Sequence, residues 1–300
     1  MLTGIVDTVL DRTLIGYSNV GYIARRRAWR PLPRIDGKVV IVTGAKAGLG
    51  RATVAGLAQL GATVHMVVRG VPEGEAVRDA ITRDMPGAEI VVDELDVSLL
   101  ASVREFAASW EGPLHAIVHN AGTMPPQRNE TPEGNELTLA THVLGPHLLT
   151  KLLPPSERSI WVSSGGMYAQ KLHADDLQYR EDSYRPATAY ARTKRMQVVL
   201  AEEWAKRLPG VAVNAVHPGW VDTPGISSSL PTFKKLTRPI LRTPEQGADT
   251  FVWMVAAREA GETTGHFFHD RAVRPEHYTR FTREAQAERD ALWTAVDALT

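Results

Sequence analysis

One stretch constrains the fold more than any other: Val39-Val40-Ile41-Val42, followed by Thr43-Gly44-Ala45-Lys46-Ala47-Gly48-Leu49-Gly50. The β-branched run reads as a buried strand, and the spacing over 51–60 reads as a helix. Glycines between a strand and a helix let a phosphate approach the backbone at the positive helix end. The spacing is G-x-x-x-G-x-G rather than G-x-G-x-x-G, and no Lys-Ser/Thr pair follows the last glycine as in a P-loop. Alone, such a turn is a dinucleotide cradle or merely a place of close packing. The strand–turn–helix context favours the cradle.

The alternation then repeats. A second strand at 63–68 ends at Arg69. An acidic residue there would suit the ribose hydroxyls of NAD, whereas an Arg suits a 2′-phosphate. Lys46 adds a second positive charge; the plainer reading of both is surface charge. A helical segment at 71–85 leads to a third strand and turn at 90–97, with Ser98 as cap of a helix ending near Trp110. The fourth strand, 114–119, runs into Asn120-Ala121-Gly122, where an Asn amide can bond backbone on both sides. His115 and His119 fall on one strand face and read as structural rather than metal-binding. Residues 133–153 have a long helical pattern that includes His142.

Ile160-Trp161-Val162 is a fifth strand, ending in Ser163-Ser164-Gly165-Gly166. In open parallel sheets the chemistry lies just past the carboxyl ends of the strands, which puts a hydroxyl at such a place. Residues 187–208 have helical spacing, so Tyr190 and Lys194, four apart, share one face. A phenol beside an ammonium is a proton donor whose pKa, about 10 when free, the cation pulls down. Alternatively Tyr190 is a packing residue and Lys194 its solvated neighbour. A sixth strand at 211–216 leads into His217-Pro218-Gly219-Trp220-Val221-Asp222-Thr223. The polar stretch 226–243, with Ser227 to Ser229, Lys234 and Lys235, is a lid candidate. A helix at 245–258, a last short strand at 266–269 and a charged C-terminal helix complete the chain.

This order argues for an α/β fold: a single doubly wound Rossmann domain, with a seven-stranded, mostly parallel sheet and helices on both faces. The domain spans 36–300, behind an N-terminal extension at 1–35 whose residues 2–10 suit one or two helical turns. The cluster Arg25-Arg26-Arg27-Ala28-Trp29-Arg30 could touch an anionic membrane surface, or the arm could pack on the domain. With 34 basic and 34 acidic residues, nothing points to nucleic acid, and the absence of Cys excludes disulfides and thiolate sites. No apolar run reaches the ~18 residues of a membrane helix, and the start lacks a basic signal-peptide region. A cytoplasmic protein, in peripheral membrane contact at most, is the expectation.

Taken together, Thr43-Gly44-x-x-x-Gly48-x-Gly50, Asp96-Val97, Asn120-Ala121-Gly122, Ser164, Tyr190-x-x-x-Lys194, and Pro218-Gly219 with Thr223 resemble the short-chain dehydrogenase/reductase superfamily over about 36–270. The wide interval between Ser164 and Tyr190, holding Asp175-Asp176-Leu177-Gln178, looks like its retinol-dehydrogenase-like branch. Gly165-Gly166-Met167 and Phe267-Phe268-His269-Asp270-Arg271 look like the member-twelve group of dehydrogenase/reductase proteins. The resemblance implies that Tyr190 gives or takes the carbonyl proton, that Lys194 lowers the Tyr pKa and holds the nicotinamide ribose, and that Ser164 bonds the substrate oxygen. It implies a cofactor held by Gly44, Lys46, Gly48, Leu49 and Gly50, flanked by Asp96 and Val97, running along Asn120, Ala121 and Gly122, and reaching Pro218, Gly219 and Thr223. Arg69 favours NADP(H) over NAD(H).

His142 departs from the pattern, which has an Asn three residues before the Gly of Leu144-Gly145. That Asn is thought to hold a water feeding protons to the Lys. His142 either stands in for it, with its imidazole near Lys194 and an ionisation near neutral pH, or is a packing residue. The expected function is an NADP-dependent oxidoreductase acting on a small-molecule alcohol or carbonyl; assembly as a homo-oligomer is compatible with it. The alternative is a cofactor-binding protein with little turnover. A purely structural module leaves Ser164, Tyr190 and Lys194 together unexplained.

Overall fold

The central strands are apolar runs buried in succession, because strands covered on both faces need no polar alternation, while the edge strand at 90–94 is only partly covered. The strands are β1 (Val39–Thr43), β2 (Thr63–Val68), β3 (Ile90–Glu94), β4 (Ala116–His119), β5 (Arg158–Val162), β6 (Ala212–Val216), β7 (Phe267–His269) and β8 (Ala272–Val273). The computed structural model describes residues 7, 10–181, 183–222 and 237–300. The sheet order is β3-β2-β1-β4-β5-β6-β7-β8. All pairings are parallel except β7 with β8. The order reverses between β1 and β4, and such a switch point opens a crevice at the carboxyl ends.

Alternate side chains of each strand feed two core layers. Val40 and Val42 pack with Leu57 and Phe251 under the helices Gly48–Gln59 and Pro244–Ala256. Ile41 packs on the other side with Val103, Leu148, Met196 and Leu292, from the helices Leu100–Ser109, Gly145–Leu152, Pro186–Arg207 and Gln286–Leu299.

Among the described residues the sheet has eight strands rather than the expected seven. Asp270 and Arg271 both take left-handed φ, 51° and 57°, and two such residues make a tight hairpin that returns the chain as β8. Asp270 favours such a turn, but Arg271 does not, so the sequence carried only a weak turn signal. Buried ion pairs hold Asp270 in place: its carboxylate takes Arg242 at 2.6 Å and Arg25 at 2.7 Å.

Other expectations change in detail. Ser98 does not cap the following helix; its hydroxyl donates to Asp96 at 2.7 Å. The carboxylate of Glu133 accepts from the N–H groups of Leu100 and Ala101 instead, 2.8 and 2.9 Å away. Glu133 therefore lies outside the helix expected over 133–153, which runs as Leu137–Leu139, a wide π-helical segment Ala140–Leu144, and Gly145–Leu152. His115 and His119 separate: His119 bonds Thr150 at 2.9 Å, whereas His115, just before β4, pairs with Glu157 at 3.1 Å. Burial lowers the His119 pKa to about 3, keeping it neutral.

In the N-terminal arm, Ser18 caps the helix Asn19–Arg26. The basic cluster divides. Arg25 is buried, and Trp29 lies under the Arg271 guanidinium at 4.5 Å, while Arg26, Arg27 and Arg30 are exposed. Among the described residues no helix is long and apolar enough to cross a membrane. Most of the turns expected at 2–10, Thr223, and Ser227 to Ser229, Lys234 and Lys235 of the lid candidate lie outside the described residues.

Candidate active site

The carboxyl ends of β1, β2, β4, β5 and β6 surround a cavity of about 750 Å³. Its first wall is the glycine turn. Gly44 and Gly48 take φ of 65° and 53°, a region costly for residues with a Cβ. A Cβ on Gly44 would lie 2.7 Å from Ala121 Cα, and one on Gly50 2.3 Å from the Gly44 carbonyl. The helix begins at Gly48, three residues before the expected 51, so its unpaired N–H groups open beside the cavity. Lys46 and Leu49 line the same wall, and Arg69 stands at the end of β2. Lys46 and Arg69 are both exposed, as suits cations waiting for an anion.

Asn120 ties β4 to this turn. Its side-chain amide donates to the Thr43 carbonyl at 2.9 Å. The Thr43 hydroxyl in turn accepts from the N–H groups of Asn120 and Ala121, each at 3.0 Å. Ala121 and Gly122 continue the wall, as do Asp96 and Val97. Pro218 and Gly219 line the opposite side.

Ser164, two residues past β5, starts the short turn Gly165–Ala169, its hydroxyl accepting from the Gly166 N–H at 3.3 Å. The same hydroxyl faces the Tyr190 phenol across the cavity wall. Burial raises the Tyr190 pKa above its ordinary 10.0, and the Ser164 hydroxyl works against this. That corrects the expectation of a phenol lowered by Lys194. The ammonium lies 5.4 Å from the Tyr190 ring centroid and is turned to other partners: the Val162 carbonyl at 2.7 Å and Gln197 Oε1 at 2.8 Å. Burial lowers the Lys194 pKa to about 7.

His142 is fully buried and does not line the cavity. Its Nε2 accepts from the Thr123 N–H at 2.9 Å. A backbone N–H can only donate, so the proton sits on Nδ1, which donates to the Thr193 hydroxyl at 2.8 Å. That hydroxyl donates onward to the Tyr190 carbonyl at 2.9 Å. Burial first, and the Lys194 charge second, hold the His142 pKa well below 6.5. The imidazole therefore does not face Lys194 and does not titrate near neutrality, contrary to the relay expectation. The main-chain carbonyl of His142 makes that connection instead: it accepts from Gln197 Nε2 at 2.9 Å, and Gln197 Oε1 holds the ammonium. Sequence reasoning missed Gln197 and Thr193. Gln197 lies three residues after Lys194, on the same helix face, and that spacing was its one available signal.

One cavity thus gathers the glycine turn, Arg69, Asn120, Ser164, Tyr190 and Lys194. It can hold an extended anionic ligand from the helix end across to a phenol–hydroxyl pair.

Comparison with known proteins gives matches over most of the chain. A family model described as enoyl-(acyl carrier protein) reductase matches residues 44–270. Dehydrogenase/reductase SDR family member 12 of Bos taurus is 37% identical over 273 residues, covering 87% of this chain and 86% of the relative. Retinol dehydrogenase 12 of Homo sapiens is 35% identical over 250 residues, with 79% of each chain covered. A solved structure from Mycobacterium paratuberculosis superimposes with a TM-score of 0.74 at 26% identity, covering 89% of this chain and 95% of that one.

Proposed function

The chain belongs to the short-chain dehydrogenase/reductase superfamily as an NAD(P)-dependent enzyme, and on that premise we propose that it transfers a hydride between NADP(H) and an alcohol or carbonyl substrate. The observation that carries this reading is the convergence of a phosphate-sized glycine cradle and the Ser164–Tyr190 pair on one cavity.

Gly44, Gly48, Leu49 and Gly50 hold the pyrophosphate: the missing side chains at Gly44 and Gly50 let the turn pack tightly on Ala121 and on itself, and the helix N–H groups open toward the cavity. Asp96 and Val97 flank the adenine; Asn120, Ala121 and Gly122 run along the cofactor; Pro218 and Gly219 lie toward the carboxamide, where the family resemblance of the sequence also puts Thr223. When bound, the nicotinamide supplies or accepts the hydride. Tyr190 gives the carbonyl oxygen its proton, and a phenol of raised pKa keeps that proton at neutral pH. Ser164 donates to the same oxygen as charge builds on it. Lys194 has two bonds committed to Val162 and Gln197, which leaves one N–H of its three for the ribose.

Arg69 and Lys46 make NADP(H) the preferred cofactor. A charge-assisted contact to the 2′-phosphate is worth ~1.5–3 kcal/mol, roughly ten- to hundredfold in affinity. Titrating both cofactors against wild type and Arg69→Ala tests this: the preference for NADPH should be present in the first and lost in the second. Equal wild-type affinities contradict it.

A cofactor-binding protein with little turnover is the second reading, favoured by Gln197 standing between Lys194 and the His142 carbonyl. NADPH fluorescence changes under both readings. Oxidation of NADPH with a panel of carbonyls occurs only under the first.

A further inference from the structure

A second cleft, of about 660 Å³, opens beside the cofactor cavity. The two share Gly165, His217 and Trp220, so they meet one residue past Ser164. Residues of the N-terminal arm, Tyr17 among them, form one wall. We propose that the arm completes the substrate site, and that this cleft takes the body of a flat, ring-bearing carbonyl or alcohol whose reacting group lies at Ser164 and Tyr190. The proposal rests on the oxidoreductase reading above.

The walls are rings. Tyr168 and Tyr278 lie 4.4 Å apart between centroids, and Tyr17 leans on His217 at 5.1 Å and Trp220 at 6.3 Å. Aromatic faces and edges recognise planar apolar groups by stacking and edge contacts. The volume lies within the ~300–1,000 Å³ usual for small-molecule sites.

Most polar groups of the cleft already have partners, whereas the buried Nε2 of His217 has none among the described residues. The Tyr278 hydroxyl donates to Asp11 at 2.7 Å, and Arg274 faces the same carboxylate at 3.4 Å. The Tyr168 hydroxyl donates to the Pro275 carbonyl at 2.7 Å. His277 bonds Thr282 at 3.0 Å, and burial lowers its pKa. Arg12 also lines the cleft and is exposed. Among the described residues of the cleft, Asp11 is the one carboxylate and is already paired with Tyr278 and Arg274, so a cationic substrate finds no free carboxylate there.

The arm is built to hold this wall in place. The Trp220 N–H donates to the Tyr17 carbonyl at 2.8 Å. Arg242 donates to the carbonyls of Gly16 and Ser18 at 3.0 and 3.1 Å, and Arg25 to Gly16 at 2.9 Å. A Cβ at Gly16 would lie 1.8 Å from the Leu10 carbonyl, so the arm folds against itself with no space to spare.

The test compares 2-naphthaldehyde with propanal as NADPH-dependent substrates. Wild type should favour 2-naphthaldehyde in kcat/KM by roughly tenfold or more, as differential pocket contacts allow. Tyr17→Ala should collapse that ratio through KM, and Tyr17→Phe should keep it. Tyr278→Ala, on the opposite wall, gives the same reading if Tyr17→Ala proves unstable. A wild type without the preference, or a ratio unchanged in both alanine variants, overturns the proposal. If neither aldehyde is turned over, the oxidoreductase reading falls, and calorimetric binding of 2-naphthol decides the cleft separately. Binding that Tyr17→Ala abolishes supports it, and no binding overturns it.

Discussion

At Lys194 two influences oppose each other. Burial penalises the ammonium and brings its pKa to about 7, while Val162 and Gln197 supply acceptors that keep it in place. Gln197→Glu would put a carboxylate against the ammonium and raise its pKa by about a unit or more; Gln197→Met would remove an acceptor and lower it further. ¹³Cε-lysine NMR, assigned with Lys194→Arg, reads both midpoints, and a midpoint indifferent to both changes would show that Gln197 only fills space. The stability consequence has a definite sign. The folded pKa lies below the unfolded 10.5, so between about 7 and 10.5 the unfolded chain binds the extra proton and stability rises with pH. Ser164, Tyr190 and Lys194 were legible because their spacing is set by a strand end and a helix face. The bonds of His142 were not, because Thr123 comes from an irregular loop and Thr193 from a distant helix. A single chain shows that a residue is unusual without showing where its nitrogens point.

Among the elements, the run through His142 is the most constrained. Gly145 passes so close to the end of β3 that a Cβ would lie 1.9 Å from the Val97 carbonyl. The π-helical segment just before it, with the Gly145 N–H reaching back to Ala140, sets that approach. Gly145→Ala should push this helix off Val97, which lines the cofactor cavity, costing about 1–3 kcal/mol of stability and weakening NADPH binding. Thermal melts and an NADPH titration check it; a variant with wild-type values in both would show that the contact relaxes freely. The strands were readable because continuous burial writes them as continuous apolar runs. A π-helical step leaves the apolar pattern nearly unchanged, so sequence showed one long helix there. The β7–β8 hairpin was hidden for a different reason: ion pairs rather than glycine hold its turn.

For the whole molecule, Asp270 is the point where arm, sheet and the His217–Trp220 loop are joined. Both of its arginine partners are almost fully buried, and Arg242 also reaches the Pro218 carbonyl. Asp270→Asn leaves Arg25 and Arg242 without their counter-charge and should cost about 3–5 kcal/mol, seen as a large fall in Tm. The folded pKa of Asp270 is depressed below 3.8, first against burial and then by His269 and the arginines. Its contribution is therefore present at neutral pH and lost only as pH falls through the acid range below 3.8. An unaltered Tm in the variant would show that the arm is held by other contacts. The extension read from sequence as a possible membrane arm thus carries its most buried charge inward. The central assignment concerns chemistry, and its most direct test is NADPH oxidation with carbonyl substrates by wild type and Tyr190→Phe, alongside NADPH affinity for each. The assignment predicts turnover in wild type that falls ~10²–10⁴-fold in the variant, with cofactor affinity retained. Near-normal turnover by Tyr190→Phe would contradict it.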